Sequence, residues 1–228
     1  MNNTVKSFLK YLILLAAIPV TLLLGVTVFG DRQYAFITIT VVFLACIPFF
    51  LSFERREGNG KLLIIIAVMV AMSSVGRFVF AALPGFKPVT ALVILTALYF
   101  GGEAGFVTGA LTAVISNFYF GQGPWTPFQM FSWGAIGLLA GLLANPLLKN
   151  RILLLMYGIL AGVAYSLLMD TWTVMWWDGT FNMTRYIAAI TAALPWMGIY
   201  AASNVVFLLI FTKPIGKILD RIKYKYAL

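Results

Sequence analysis

Histidine is absent from this 228-residue chain, cysteine occurs once, and only seven side chains are acidic. Without histidine there is no imidazole for general acid–base catalysis, no HExxH zinc site and no histidine ligand for a haem. The single Cys46 sits inside an apolar run, so no intramolecular disulfide is possible and a redox role is not expected. The acids are scattered as Asp31, Glu54, Glu57, Glu103, Asp170, Asp178 and Asp220. None forms the close carboxylate cluster expected of a metal-dependent membrane transferase. No GxxxxGK[ST] phosphate loop occurs, so the chain is not expected to hydrolyse ATP. An enzyme is therefore disfavoured, and no cofactor or metal is expected.

What is abundant is apolar. Sixty-two per cent hydrophobic residues, ten per cent charged residues and a mean hydropathy of +0.97 exclude an ordinary soluble domain. A spanning helix needs about 20 mostly apolar residues. Tyr11–Phe29, Tyr34–Phe53, Leu62–Leu83, Phe128–Ala144, Ile152–Thr171 and Tyr186–Thr212 approach or pass that length. A longer run broken at Gly101-Gly102-Glu103 reads as two helices, Pro88–Phe100 and Ala104–Phe120. Backbone in lipid must satisfy its own hydrogen bonds, so the expected fold is an all-α, polytopic membrane helix bundle of eight helices. Tyr11–Phe29 resembles a signal peptide, but its length and the absence of a small-residue cleavage pattern favour a retained span.

Charge sets the expected orientation. With the N-terminus inside, the inner segments hold Lys6, Lys10, Arg55, Arg56, Lys61, Lys149, Arg151, Lys213, Lys217, Arg221, Lys223 and Lys225. The outer segments hold only Arg32, Lys87 and Arg185. This positive-inside bias places both termini in the cytoplasm. It also accounts for the formal charge of +9 without nucleic acid, through topology and attraction to anionic lipid.

Three segments then face outward: Pro84-Gly-Phe-Lys-Pro88, Phe118-Tyr-Phe-Gly-Gln-Gly-Pro-Trp-Thr-Pro127 and Trp172–Asn182, all three read as loops. All six tryptophans map to this side. An interfacial belt would mark both sides of the membrane, so the one-sided pattern favours a pocket for a bulky ligand under a lid. Candidate binding residues are Phe86, Lys87, Tyr119, Trp125, Trp172, Trp176 and Trp177, with Asn117, Gln122, Gln129 and Asp170 as the polar groups. Arg77 lies seven residues before Pro84, about 10 Å below the outer end. An intramembrane charge is a functional candidate by default; Arg77 either binds a polar ligand group or pairs with Asp170, with snorkelling to the interface as a third reading.

Small residues recur four apart at Ala67/Ala71, Gly105/Gly109, Gly137/Gly141 and Gly158/Gly162. Such pairs let helices approach closely in lipid, and internal packing is the better reading for most of them. Gly105/Gly109 before Asn117 and Gly158/Gly162 before Asp170 share one offset, which suggests similar depth for the two polar residues.

Gly76-Arg-Phe78, Pro84-Gly-Phe-Lys-Pro-Val-Thr-Ala91, Tyr99-Phe-Gly-Gly-Glu-Ala-Gly105 and Ser116-Asn-Phe-Tyr-Phe-Gly-Gln-Gly-Pro-Trp-Thr-Pro-Phe-Gln129 resemble the S component of an energy-coupling-factor (ECF) transporter. This is the membrane-embedded substrate-binding subunit, and the cobalamin-type S component is the nearest resemblance. The match is strongest over residues 62–141. The resemblance implies a six-helix core over residues 61–228, with two added N-terminal helices in residues 1–60. It implies capture of a vitamin, cobalamin or a cobinamide-like precursor, at the outer face and delivery by toppling in the cell membrane. The implied partners are a transmembrane coupling protein and two cytoplasmic ATPases, which supply the missing ATP chemistry. The family's small-residue motif falls on Ala67 and Ala71, which become expected partner contacts. Another vitamin, a modified-nucleobase precursor or a self-sufficient secondary transporter are the alternatives.

Overall fold

The computed structural model describes residues 3–29, 34–53 and 59–226. Asp31, Arg32, Glu54, Arg55, Arg56 and Glu57 lie outside the described residues. Every element among the described residues is helical, as the all-α expectation requires.

The chain begins with α1 (Asn3–Leu12), a π-helical stretch (Ile13–Ala17), α2 (Ile18–Leu24) and a second π-helical stretch (Gly25–Phe29), which together make one span. There follow α3 (Tyr34–Phe53), α4 (Asn59–Val79), α5 (Val89–Phe100), α6 (Gly102–Phe120) and α7 (Trp125–Leu142). A short α8 (Ala144–Lys149), the long α9 (Arg151–Asp178) and α10 (Met183–Phe211), and α11 (Pro214–Tyr226) complete the bundle. By length and composition, four helical stretches suffice to cross a membrane: Ser7–Val28, Gly60–Val79, Arg151–Asp178 and Met183–Phe211. Phe36–Ile47 and Val89–Phe100 are shorter apolar helices between them.

The fold is organised around α5, whose residues Val89–Leu98 are all buried. A helix apolar on every side belongs in the middle of its neighbours. Helices α4, α6, α7, α9, α10 and α11 all pack against it. The tightest pair is α6 and α7, because glycines remove the side chains that would hold the backbones apart. A Cβ on Gly109 would meet the Trp133 backbone at 2.6 Å, and one on Gly137 would meet the Gly105 backbone at 2.5 Å. Gly141 lies equally close to Gly102, while Gly158 and Gly162 face Leu208 and Ala201 on α10. The three glycine pairs are thus internal packing devices. Ala67 and Ala71 differ: both are exposed on the outward side of α4, beside Ile64, Val68 and Met72.

The first two spans cover α6 and α7. Leu14, Ile18, Leu22, Ile37 and Val41 join a buried cluster with Phe106, Ala110, Met130 and Trp133. At the opposite end from Arg77, Lys10 pairs with Glu103 at 3.0 Å and ties the N-terminal span to the start of α6.

Helix ends correct several boundaries. α9 does not stop at Thr171; it continues to Asp178 and ends only where Gly179 takes φ +66°. No glycine or proline interrupts Thr171–Asp178, so nothing breaks the helix earlier, and Val174 and Met175 are buried along it. At 28 residues it is about 42 Å long, longer than the ~30 Å hydrocarbon core. Trp172, Trp176 and Trp177 therefore ride on a helix, and the turn is reduced to residues 179–182. Asn182 caps α10 by accepting from the Arg185 N–H at 3.1 Å, and Arg185 bridges back to Asp178 at 2.8 Å. In the same way Trp125–Pro127 open α7 rather than close a loop, with Pro127 tolerated in the first turn. α4 ends earlier than expected, at Val79, so Arg77 lies in its last turn rather than two turns below the end. The basic C-terminal tail is also structured. Ile215, Leu219 and Ile222 give α11 one apolar face, which packs on the core.

Placing a side chain at the α6–α7 contact should be costly. Gly109→Val is expected to lower unfolding stability in detergent by about 1–3 kcal/mol, the usual cost of overpacking. Gly198→Ala, which meets nothing within 4 Å, should leave it unchanged or slightly higher.

Candidate functional site

The end of the bundle that carries Arg77 encloses a cavity of about 130 Å³. Its lining comes from the α4–α5 loop and five helices: Arg77, Lys87, Thr90, Gln129, Trp133, Tyr165, Tyr200 and Asn204 supply the side chains with chemistry. All lie between residues 77 and 204, so the first two spans contribute nothing to the wall.

Residues 80–88 fold back over the helix ends. The Lys87 N–H donates to Ser203 Oγ at 2.9 Å, and the Ser203 hydroxyl donates to the Lys87 carbonyl at 2.9 Å. Phe86 is the apolar anchor of this loop, with its ring 6.1 Å from Phe80 and 5.1 Å from Phe207. Lys87 Nζ donates to the Phe80 carbonyl and stands 5.9 Å from the Phe120 ring. Burial, with the nearby Arg77 charge, lowers the Lys87 ammonium below the ordinary lysine value of 10.5.

Arg77 is held from α6. Its Nη1 donates to Ser116 Oγ at 2.5 Å and to Asn117 Oδ1 at 2.7 Å. The guanidinium also lies 4.4 Å from the Phe120 ring centre and 5.4 Å from that of Trp133. No ion pair joins it to Asp170, which instead accepts a long contact from Ser166 Oγ at 3.5 Å. The structural-pair reading therefore does not describe this structure: Arg77 Nη1 is turned to Ser116 and Asn117 on α6, and Nε and Nη2 keep donors to spare.

A directed chain of hydrogen bonds starts there. A guanidinium can only donate, so Asn117 must present its carbonyl oxygen to it. Asn117 Nδ2 is then left to donate to Gln129 Oε1 at 2.8 Å and Thr126 Oγ1 at 3.0 Å. Gln129 in turn donates from Nε2 to the Tyr165 hydroxyl oxygen at 2.8 Å. The Tyr165 proton has no acceptor among the described residues and is available to an occupant of the cavity. On the other wall, Asn204 spends its amide N–H on the Gly158 carbonyl at 2.9 Å, leaving its oxygen as an acceptor. The Trp133 and Tyr165 rings lie 5.3 Å apart at 15°, with Tyr200 edge-on to Tyr165 at 5.3 Å. The cavity therefore combines flat aromatic faces, two cations, a phenolic donor and one amide acceptor. No carboxylate, thiol or imidazole lines it. The groups present suit the holding of a flat, polar-edged ligand.

Of the residues singled out from sequence, Arg77, Lys87 and Gln129 line the cavity, and Asn117 stands directly behind them. Gln122 supports the α6–α7 turn, donating to the Val114 carbonyl at 2.7 Å and accepting from Thr126 at 3.1 Å. Trp125, Trp172 and Trp176 form a separate ladder, with centroid spacings of 6.1 and 5.6 Å. The Trp172 indole N–H is buried in it without a hydrogen-bond partner. Tyr119 and Trp177 are exposed at the rim. Tyr165, Tyr200, Asn204 and Thr90 were not anticipated as site residues. The available signal was polarity inside otherwise apolar helices: Tyr200, Ser203 and Asn204 fall within one turn of α10.

Residues 59–221 match the family model for the ECF-type riboflavin transporter, S component. The chain belongs to this family. Neither the curated proteins nor the solved structures give a match. The matched segment covers 163 of 228 residues and contains every residue of the cavity wall. The S component is the substrate-binding subunit of an ECF-type transporter, a class of membrane transport protein rather than an enzyme family. The cavity lies inside that unit, and the matched segment starts at the first residue of α4.

The directed chain makes its members interdependent. Asn117→Leu would leave Gln129 Oε1 without its donor and take one of the two hydrogen bonds from Arg77, and should cost about 2–4 kcal/mol of unfolding stability in detergent. Combining it with Arg77→Met should cost less than the two single losses together, since the methionine no longer needs the carbonyl.

Proposed function

We propose that this S component captures a vitamin bearing a flat, carbonyl-rich ring system, of the riboflavin class, at the outer face of the cell membrane. The observation that carries the reading is the wall itself. Stacked Trp133 and Tyr165 offer faces for a fused ring. Arg77, Lys87 and Tyr165 offer donors to carbonyl oxygens, and Asn204 offers an acceptor to a ring N–H. An isoalloxazine presents that pattern along its pyrimidinedione edge, where two carbonyls flank an N–H. The family's description names riboflavin, which agrees with this chemistry.

Size separates this ligand from the corrinoid suggested by sequence resemblance. At about 130 Å³ the cavity is well below the roughly 300–1,000 Å³ that encloses drug-sized ligands. Even a flavin would need the 80–88 loop to lift. A corrinoid, several times bulkier, would require the helices themselves to separate. Cobalamin or cobinamide is accordingly the second reading, supported by the exposed aromatic rim of Phe118, Tyr119 and Trp177.

In this proposal the basic end, with α8 and α11, faces the cytoplasm, both termini lie inside, and residues 1–60 are an addition to the six-helix core. Ligand bound at the outer end is delivered when the subunit reorients in the bilayer against a transmembrane coupling protein powered by two cytoplasmic ATPases. Ala67 and Ala71 present a small, exposed patch on α4 where another helix backbone can approach closely. Both replaced by tryptophan should leave ligand binding intact and abolish uptake in cells carrying the ATPase module. Normal uptake by such a stably inserted double variant would remove this surface from the mechanism.

Calorimetry of the purified chain without partners tests the substrate. Saturable riboflavin binding with no response to cobalamin is expected, and Trp133→Leu should weaken it. The reverse selectivity would sink the flavin reading in favour of the corrinoid, and silence to both would direct attention to another vitamin or a modified-nucleobase precursor. The Lys87 ammonium is the binding form, present below its pKa. Because that pKa is lowered, affinity should be flat through neutral pH and begin falling at a pH below the ordinary lysine value of 10.5. Lys87→Met should remove this alkaline limb.

A further inference from the structure

A second cavity, of about 300 Å³, lies at the opposite end of the molecule. It opens where the first turn of α4, the last turns of α5, the short α8 and the amphipathic α11 meet. Its lining combines two chemistries. Leu62, Leu98, Phe100 and Leu148 supply apolar surface, while Tyr99, Asn145 and Lys223 bring a hydroxyl, an amide and an ammonium.

We infer that this cavity binds the headgroup and upper acyl chain of an anionic phospholipid. The argument begins with position. α4 is long and apolar enough to span a membrane, and the shorter apolar α5 packs beside it, so their shared end sits where hydrocarbon gives way to water. There only an amphiphile satisfies both chemistries at once. Charge then selects among amphiphiles. No acidic side chain lines the cavity, whereas Lys223 does. α11 adds Lys217, Arg221 and Lys225 against a single acid, Asp220. Lys61, next to the lining Leu62, lies 4.4 Å over the Tyr226 ring and closes the gap between α4 and α11 with a further cation. A phosphodiester could take donors from Lys223, Asn145 and the Tyr99 hydroxyl, while its acyl chain lies along Leu62, Phe100 and Leu148. A zwitterionic headgroup would bring its own ammonium towards these cations and is disfavoured.

The lid on this site is α11. Its Leu219 and Gly216 are buried against the core, and Gly216 fits because a Cβ there would stand 2.6 Å from the Tyr99 hydroxyl. A lipid held here would tie α4, α5, α8 and α11 together at one end. Ligand capture at the other end requires no part of it.

Native mass spectrometry of the full chain, released from nanodiscs of mixed phosphatidylglycerol and phosphatidylcholine, tests the site. One phosphatidylglycerol should be retained in preference to phosphatidylcholine. Lys223→Gln should reduce that retention about fivefold, the worth of one basic residue at an anionic surface, and Lys217→Gln should reduce it less. Leu148→Trp alters no charge but fills space beside the apolar lining, and should remove the retained lipid while riboflavin or cobalamin binding at the far end stays as in the parent chain. Equal retention of both lipids, indifference to Leu148→Trp, or displacement of the lipid by millimolar inorganic phosphate or glycerol phosphate would each overturn the proposal.

Discussion

A cation in the last turn of a membrane helix is the constraint around which the ligand end is built. Desolvating a guanidinium in a bundle is expensive unless its donors are met. Arg77 meets them with Ser116 and Asn117, with the faces of Phe120 and Trp133, and with the carbonyl end of its own helix. Because it cannot accept, it also fixes the direction of every bond downstream, through Asn117 and Gln129 to Tyr165. The phenolic proton thus points away from the network by necessity. What looks like a cluster of polar side chains on this wall is a single oriented system whose free phenolic donor is decided at Arg77, while the Asn204 acceptor opposite is set separately by Gly158.

That system exists only because two backbones come unusually close. Asn117 on α6 and Gln129 on α7 can bond directly because Gly105, Gly109, Gly137 and Gly141 let the helices pack with almost nothing between them. In lipid there is no hydrophobic force to press helices together, so close van der Waals contact and interhelical hydrogen bonds take that role. The glycine contact and the amide bond therefore support one another: the first sets the distance, and the second gains from it. The short turn at residues 121–124, with Gly121 at φ +100°, lets α6 and α7 reverse direction without moving this contact apart.

The sequence was legible where its physics is local. Long apolar runs announced the spans, glycine pairs announced close packing, and an arginine amid apolar residues pointed to a residue that lines the cavity. Legibility failed where position depends on the neighbours. Tyr165, Tyr200 and Asn204 sit on helices apolar nearly all round, so no periodicity says which side faces a cavity. The tryptophans of residues 172–177 were read as loop because aromatics gather at interfaces, yet the true stop is Gly179, and until then each residue has a helical partner. Trp125, Trp172 and Trp176 were grouped with the pocket for the same reason. The fold sends them into a ladder of their own, beside the cavity rather than in it. α11 was read as a tail because its basic charge outweighed a three-residue apolar face that only packing reveals.

The distribution of packing also says how the ligand end can open. α5 passes from the ligand-end cavity at Val89 and Thr90 to the second cavity at Ala97–Phe100, buried throughout its middle. Parting it from α6 or α7 would break contacts that glycines have brought to backbone distance, at a cost spread over the whole bundle. The 80–88 loop is held by far less: a reciprocal pair of hydrogen bonds at Ser203, the Phe86 ring among Phe80 and Phe207, and the Lys87 contact with Phe80. Lifting it would open the cavity that Arg77 and Lys87 line without parting the helices. In the proposed capture, this loop is the element that would have to move for ligand to enter. The stiffness of the helices then suits the subunit to any later movement as one body.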